Sequence, residues 1–207
     1  MVRKLLPMLL VLIGLSLAGC GDYGKVEQGR TVAWDTSTTP PTAWIIQDSG
    51  IEDRNPQYTV LPAHPFQAPA DPAEMGAEPF AALRIKLDVE KKEIVMYNPE
   101  TKQFDHLPFE VVEDHKDVSV RRKHSLVWDA NTGKERKFPV INAAENTLTI
   151  YSRRQERLTT IRLSPEDFAK YSGDQWDAGD EVRVYYKEPG KALRFMNVTK
   201  TDFTKRK

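Results

Sequence analysis

The sequence predicts an all-β chain with one short helix, built as small β-barrel lobes, and three observations carry that reading. Apolar residues recur at every second position in "LRIKL" (83–87), "TLTIY" (147–151) and "EVRVYY" (181–186), the period of a strand with one buried face. Turn-forming clusters separate such runs: "DVEKKE" after Leu87 closes one, and "EPGK" at 188–191 another. Only "SPEDFAKY" (164–171) reads as helix, with Ser164 as N-cap, Pro165 at the first helical position and Asp167 placed as a capping-box acid.

Taken in order, "IVMY" (94–97) is a further strand after "LRIKL". Pro62, Pro65, Pro69, Pro72 and Pro79 leave no regular element in 62–80, which reads as a long extended loop. A phrase recurs at Trp34-Asp35, Leu87-Asp88, Trp128-Asp129 and Ile141-Asn142: an apolar residue, Asp or Asn, a few polar residues, then a strand. It reads as turn initiation by Asp and Asn, with an internal repeat as the alternative.

In the C-terminal half, strands are expected at 136–141, 147–151, 157–163, 181–187 and 192–198, with the helix after the third. That order, and the strand entry "GDEVRV", suggest an OB-like barrel. Alternation places Leu148, Ile150, Ile161, Leu163, Val182, Val184 and Tyr186 inside. It places Thr149, Tyr151, Arg162, Arg183, Tyr185, Lys187 and Arg194 outside. Of these, Tyr151, Arg162, Arg183, Tyr185, Lys187 and Arg194 form the candidate ligand face, with rings for stacking and cations for anionic groups. A solvated strand face is the competing reading.

The N-terminus has the layout of a secretory signal. Arg3 and Lys4 precede an uncharged apolar run from Leu5 to Leu17, too short to span a bilayer stably. The run ends in Leu17-Ala18-Gly19-Cys20, which resembles the lipobox of bacterial lipoproteins at all four positions. The resemblance implies cleavage before Cys20, alkylation of its sulfur with diacylglycerol and acylation of the new amino group. Cys20 is the sole cysteine, so the mature chain has no disulfide and is stabilised by its core. Gly21, where an aspartate would mark inner-membrane retention, points to the outer membrane.

Charge is unevenly distributed. Residues 20–118 carry 9 Lys+Arg against 18 Asp+Glu, and residues 119–207 carry 19 against 12. Four units follow: signal peptide 1–19, tether 20–29, an acidic β lobe 30–118 with the Pro-rich loop, and a basic OB-like lobe 119–203. Acidic residues of 62–80 and 88–117 are expected to cover the basic outer face.

The sequence offers little sign of catalysis. His106, His115 and His124 are nine apart, a spacing that suits neither one helix face nor a zinc hairpin, and no HExxH occurs. "NTGKE" (131–135) lacks the upstream glycine and the Ser/Thr of a phosphate-binding loop, and there is no GxSxG. Trp34, Trp44, Trp128 and Trp176 read as packing residues rather than a sugar platform. No catalytic residue, metal site or cofactor is expected.

With the lipobox, the segments "MGAEPFAALRIKLDVEKKEIVMY" and "WDAGDEVRVYYKEPGKALRFMN" resemble an uncharacterised family of bacterial lipoproteins of about this length. The resemblance implies a shared fold and location, and it brings no assigned catalytic residues to carry over. The expectation is a monomeric envelope lipoprotein, anchored in the lipid bilayer through Cys20 and facing the periplasm. It would bind or scaffold an envelope protein or a polysaccharide, without nucleic acid. A carbohydrate- or anion-binding module on the outer face is the alternative, and a hydrolase with an unrecognised carboxylate pair the third reading.

Overall fold

The computed structural model describes residues 23–49, 59–171 and 173–201. The chain starts with β1 (Lys25–Asp35), β2 (Thr42–Ile46), the short β3 (Asp48–Ser49) and β4 (Thr59–Val60), and β5 (His64–Gln67). Then come β6 (Arg84–Asp88), β7 (Glu93–Asn98), β8 (Gln103–Pro108) and β9 (Glu110–His115). β10 (Trp128–Asp129), β11 (Lys134–Glu135), β12 (Val140–Asn142), β13 (Thr147–Ser152) and β14 (Arg157–Arg162) follow. A helix, α1 (Pro165–Lys170), precedes β15 (Glu181–Tyr186) and β16 (Ala192–Asn197).

The first and last strands share a sheet of order β16-β15-β1-β2-β5. Val182 and Val184 alternate onto its inner face opposite Gly29 and Glu27, and pack with Ala43, Ile45, Phe66 and Phe195. The sheet curls so far that Gln67 N–H, on one edge, donates to Gly190 O at 2.8 Å, beside the other edge. The edges meet only locally and no closed barrel forms.

A three-stranded sheet, β6-β7-β8, lies between this sheet and a third of order β12-β13-β14-β9. Ile94 and Met96 of β7, with Leu107 of β8, face Leu148, Ile150 and Ile161. Tyr97 and Phe104 face the opposite way, onto Val32, Ile46 and Trp44. Because β7 is buried on both faces, "EIVMYN" reads as a continuous apolar run rather than an alternating one. Enclosed side chains such as Ile94, Met96, Leu148 and Ile161 each contribute about 1.5–3 kcal/mol on burial. Ser164 caps α1 by accepting from Asp167 N at 3.0 Å, and Phe168 and Tyr171 close the core against Trp176.

The recurrent Asp/Asn phrase is turn chemistry. Asp88, Asn98, Asp129 and Asn142 each accept a backbone N–H two residues on, and Ser152 one three residues on. Four residues after each stands a positive φ: Lys92, Lys102, Gly133, Asn146 and Glu156. One geometry thus serves five hairpins: a capped helical turn closed by one left-handed residue.

Several expectations need correction. The all-β class with one helix holds, and all the expected inward residues but Tyr186 are buried; Tyr186 is half-buried. The OB-like barrel does not form, because β15 pairs with β1 and β14 with β9. Sheets therefore do not divide at residue 118. The expected tether 20–29 is strand from Lys25 onward, where Glu27 and Gly29 occupy buried positions that polar composition concealed. The Pro-rich segment contains β5, with Pro65 tolerated because β5 is the outermost strand of its sheet. The strand expected at 136–141 is β12, displaced to 140–142.

Candidate binding surface

The expected ligand face is split between two sheets. Tyr151 and Arg162 stand on the sheet of β13 and β14, whereas Arg183, Tyr185 and Arg194 stand on that of β15 and β16, with Lys187 just beyond β15. Tyr151 is engaged internally: its hydroxyl donates to Val118 O at 2.9 Å and its ring packs on Phe138. Burial pushes its phenol pKa up. Arg162 lies 3.9 Å from Glu110, and Arg194 lies 3.3 Å from Glu74 of the Pro-rich segment. Acidic residues from the N-terminal half therefore meet part of the basic surface.

Arg183, Tyr185 and Arg194 do come together. Tyr185 pairs with Val26 on one side and Arg194 on the other, so the three side chains share a face with Val26. Arg183 donates from Nε and Nη2 to Gln28 Oε1 at 2.9 and 2.7 Å. The Tyr185 ring lies over Gly24, where the chain enters the fold. Around this end, Tyr23 is 89% exposed, Val26 62% and Leu193 46%, and Lys25 and Lys187 are exposed cations. Among the described residues, Lys25, Arg183 and Lys187 have no carboxylate partner. Sequence reasoning missed Lys25 and Val26 because it assigned them to a tether.

Cys20, the expected lipid-attachment residue, lies outside the described residues. No helix among those described is long and apolar enough to cross a membrane.

The histidines are dispersed. His64 Nδ1 is 2.9 Å from the buried Glu27, His106 is 3.2 Å from Glu93 and His115 is 3.6 Å from Glu113. Among the described residues no group of three or more His, Cys, Asp or Glu is placed to hold a metal ion. Trp34 and Trp176 belong to cores. Lys102 Nζ sits 5.1 Å over Trp44 and Lys123 Nζ 5.4 Å over Trp128, so both rings already carry a cation.

Arg84 Nε is enclosed and has no acceptor among the described residues. Burial, then neighbouring Arg30, lowers the Arg84 pKa to about 10, with Asp177 opposing. A groove of about 530 Å³ runs between Leu126, Arg136, Lys137, Phe138, Val140 and Thr149.

Fold and surface together define an all-β protein with a basic, partly apolar sheet end at the start of β1. The chain belongs to the family described as a domain of unknown function, DUF4881, whose model matches residues 22–206. No curated protein and no solved structure matches it.

Proposed function

We propose that this is a lipid-anchored protein of the bacterial envelope that binds or scaffolds a partner. The observation that carries the reading is Leu17-Ala18-Gly19-Cys20 at the end of an apolar run, five residues before β1 starts at Lys25. Acylation of Cys20 fixes the mature N-terminus in a bilayer. Two or more acyl chains hold it there stably, at about 0.8 kcal/mol per buried methylene. Gly21 in place of an aspartate favours the outer membrane, with the folded body facing the periplasm. The surfaces described above are broad and open, which suits contact with a macromolecule or a membrane surface.

The test is metabolic labelling with a fatty acid in cells producing the wild-type chain or Cys20→Ala. Label and processing before residue 20 are expected in the first and absent from the second. A Cys20→Ala chain that is still processed there and still sediments fully with membranes contradicts the anchor. Crosslinking in cells, read by mass spectrometry, identifies the partner.

A further inference from the structure

We infer that the sheet end formed by Lys25, Val26, Arg183, Tyr185 and Lys187 is a docking surface for anionic lipid headgroups. The inference rests on the anchoring proposed above and specifies how the folded body sits once anchored.

Three observations converge. The first is reach. Four residues lie between Cys20 and Lys25, so five backbone steps span at most about 18 Å when fully extended. A bilayer holding Cys20 therefore keeps this end of β1 within that distance, at high effective concentration of headgroups. The opposite surfaces of the molecule have no such constraint.

The second observation is charge. Lys25 and Lys187 are exposed. Arg183 is held by a neutral amide oxygen, that of Gln28, and so keeps its full positive charge. Among the described residues, three nearby acids are engaged elsewhere: Glu74 on Arg194, Glu188 on Lys191 at 2.7 Å, and Glu27 buried against His64. Glu181, two residues before Arg183 on the same face, accepts from the same neutral amide through Gln28 Nε2 and keeps its charge, so it offsets one cation there. Arg183 and Lys187 thus share the outer face with Tyr185, and Lys25, paired with Tyr186, adds a cation at the same sheet end from the other face.

The third observation is apolar exposure at the same place. Tyr23, Val26 and Leu193 project with little cover, and Tyr185 presents an amphipathic ring beside them. Tyrosine suits the headgroup level, where one end of the side chain is apolar and the other wet. A free solvated face would have no need to gather these side chains around the point where the tether enters. Docking here lays the β15–β16 end of the first sheet on the bilayer.

The test makes the anchor chemically, so that it does not depend on natural acylation. The mature chain from Cys20 is coupled through its sole thiol to a maleimide lipid, in vesicles of phosphatidylcholine alone or with phosphatidylglycerol. Amine acylation of Lys25 and Lys187 is read by peptide mass spectrometry against exposed Lys134 on β11 as reference. Docking predicts that labelling of Lys25 and Lys187 relative to Lys134 falls several-fold on the phosphatidylglycerol vesicles only, and recovers in high salt. Lys187→Glu, a loop change, should weaken binding of the uncoupled Cys20→Ser chain to the same vesicles by at least about fivefold. Equal labelling ratios on both vesicles, or binding indifferent to Lys187→Glu, overturns the docking surface. Docking of the coupled chain, with no acylation of Cys20 in cells, leaves the surface standing and removes the anchor.

Discussion

The side-chain amide of Asn197 donates to Asp180 Oδ2 at 2.7 Å, and both residues are buried. The same oxygen accepts from Phe80 N at 2.8 Å and lies 3.2 Å from Lys200 Nζ. Asp180 N–H donates to Phe80 O, and its carbonyl accepts from Thr31 N. One residue thereby ties three parts of the chain: its carboxylate holds the segment before β6 and the end of β16, and its backbone carbonyl holds β1. Gly179 makes room for it: its φ is +72°, and a Cβ there would meet Thr31 O at 2.4 Å. The "GD" before β15 is therefore a fastening between the two ends of the chain.

Asp180→Ala leaves the Phe80 N–H without its acceptor and the Asn197 amide with Glu78 O alone. A loss of roughly 2–4 kcal/mol is expected in urea unfolding. Lys187→Ala, on the exposed loop, should change stability by less than about 0.5 kcal/mol. Comparable losses in the two variants would contradict the fastening role.

The hairpin geometry makes a second prediction, of opposite signs at two turns. Lys92 holds a left-handed φ of 56° that glycine adopts at no steric cost, so Lys92→Gly should stabilise by about 0.5–1 kcal/mol. Gly133 has φ 65° and open space around its α-carbon. Gly133→Ala should therefore lose about 1 kcal/mol from backbone strain alone. Thermal unfolding of both variants checks this; a shift of the same sign in each would count against it.

The interleaved sheets predict how the chain can be cut. Residues 119–207 alone lack β1, to which β15 pairs, and β9, to which β14 pairs. That fragment should show no cooperative transition by circular dichroism or urea titration. A stable, cooperatively folded fragment would restore a separate C-terminal lobe.

Acid sensitivity should centre on Asp114. Arg157 donates to it from Nε at 2.7 Å and Nη2 at 2.8 Å, and holds its carboxyl below the usual range. A carboxylate with a lowered folded pKa stabilises above its unfolded value, about 3.9, and loses that contribution as pH falls through the folded value. Asp114→Asn should be less stable than wild type at pH 7 by about 1 kcal/mol. The gap should close as pH drops below about 4. A gap that is constant with pH would assign the effect to packing.

Much of the fold was legible because period-two patterns are local. Leu148, Ile150, Ile161, Val182 and Val184 alternate in sequence and are buried in the structure. The cap of α1 by Ser164 was equally readable. Strand partners were not, because pairing depends on residues far apart: β1 meets β15 across some 150 positions, and nothing in "EVRVYY" names "KVEQGR" as its neighbour. β9, "EVVEDH", is exposed at every residue and so carries no buried pattern to detect. The candidate surface was half-legible. Alternation correctly placed Arg183, Tyr185 and Arg194 on one face, whereas grouping Tyr151 and Arg162 with them required a barrel that does not form.

The most direct test of the lipid-anchored account is the mass of the N-terminal peptide of the protein extracted from membranes of its own host. The account predicts a chain beginning at Cys20, with diacylglycerol on the sulfur and a peptide that partitions into detergent. An N-terminus at Met1, or an unmodified Cys20 in a chain recovered from the soluble fraction, would contradict it.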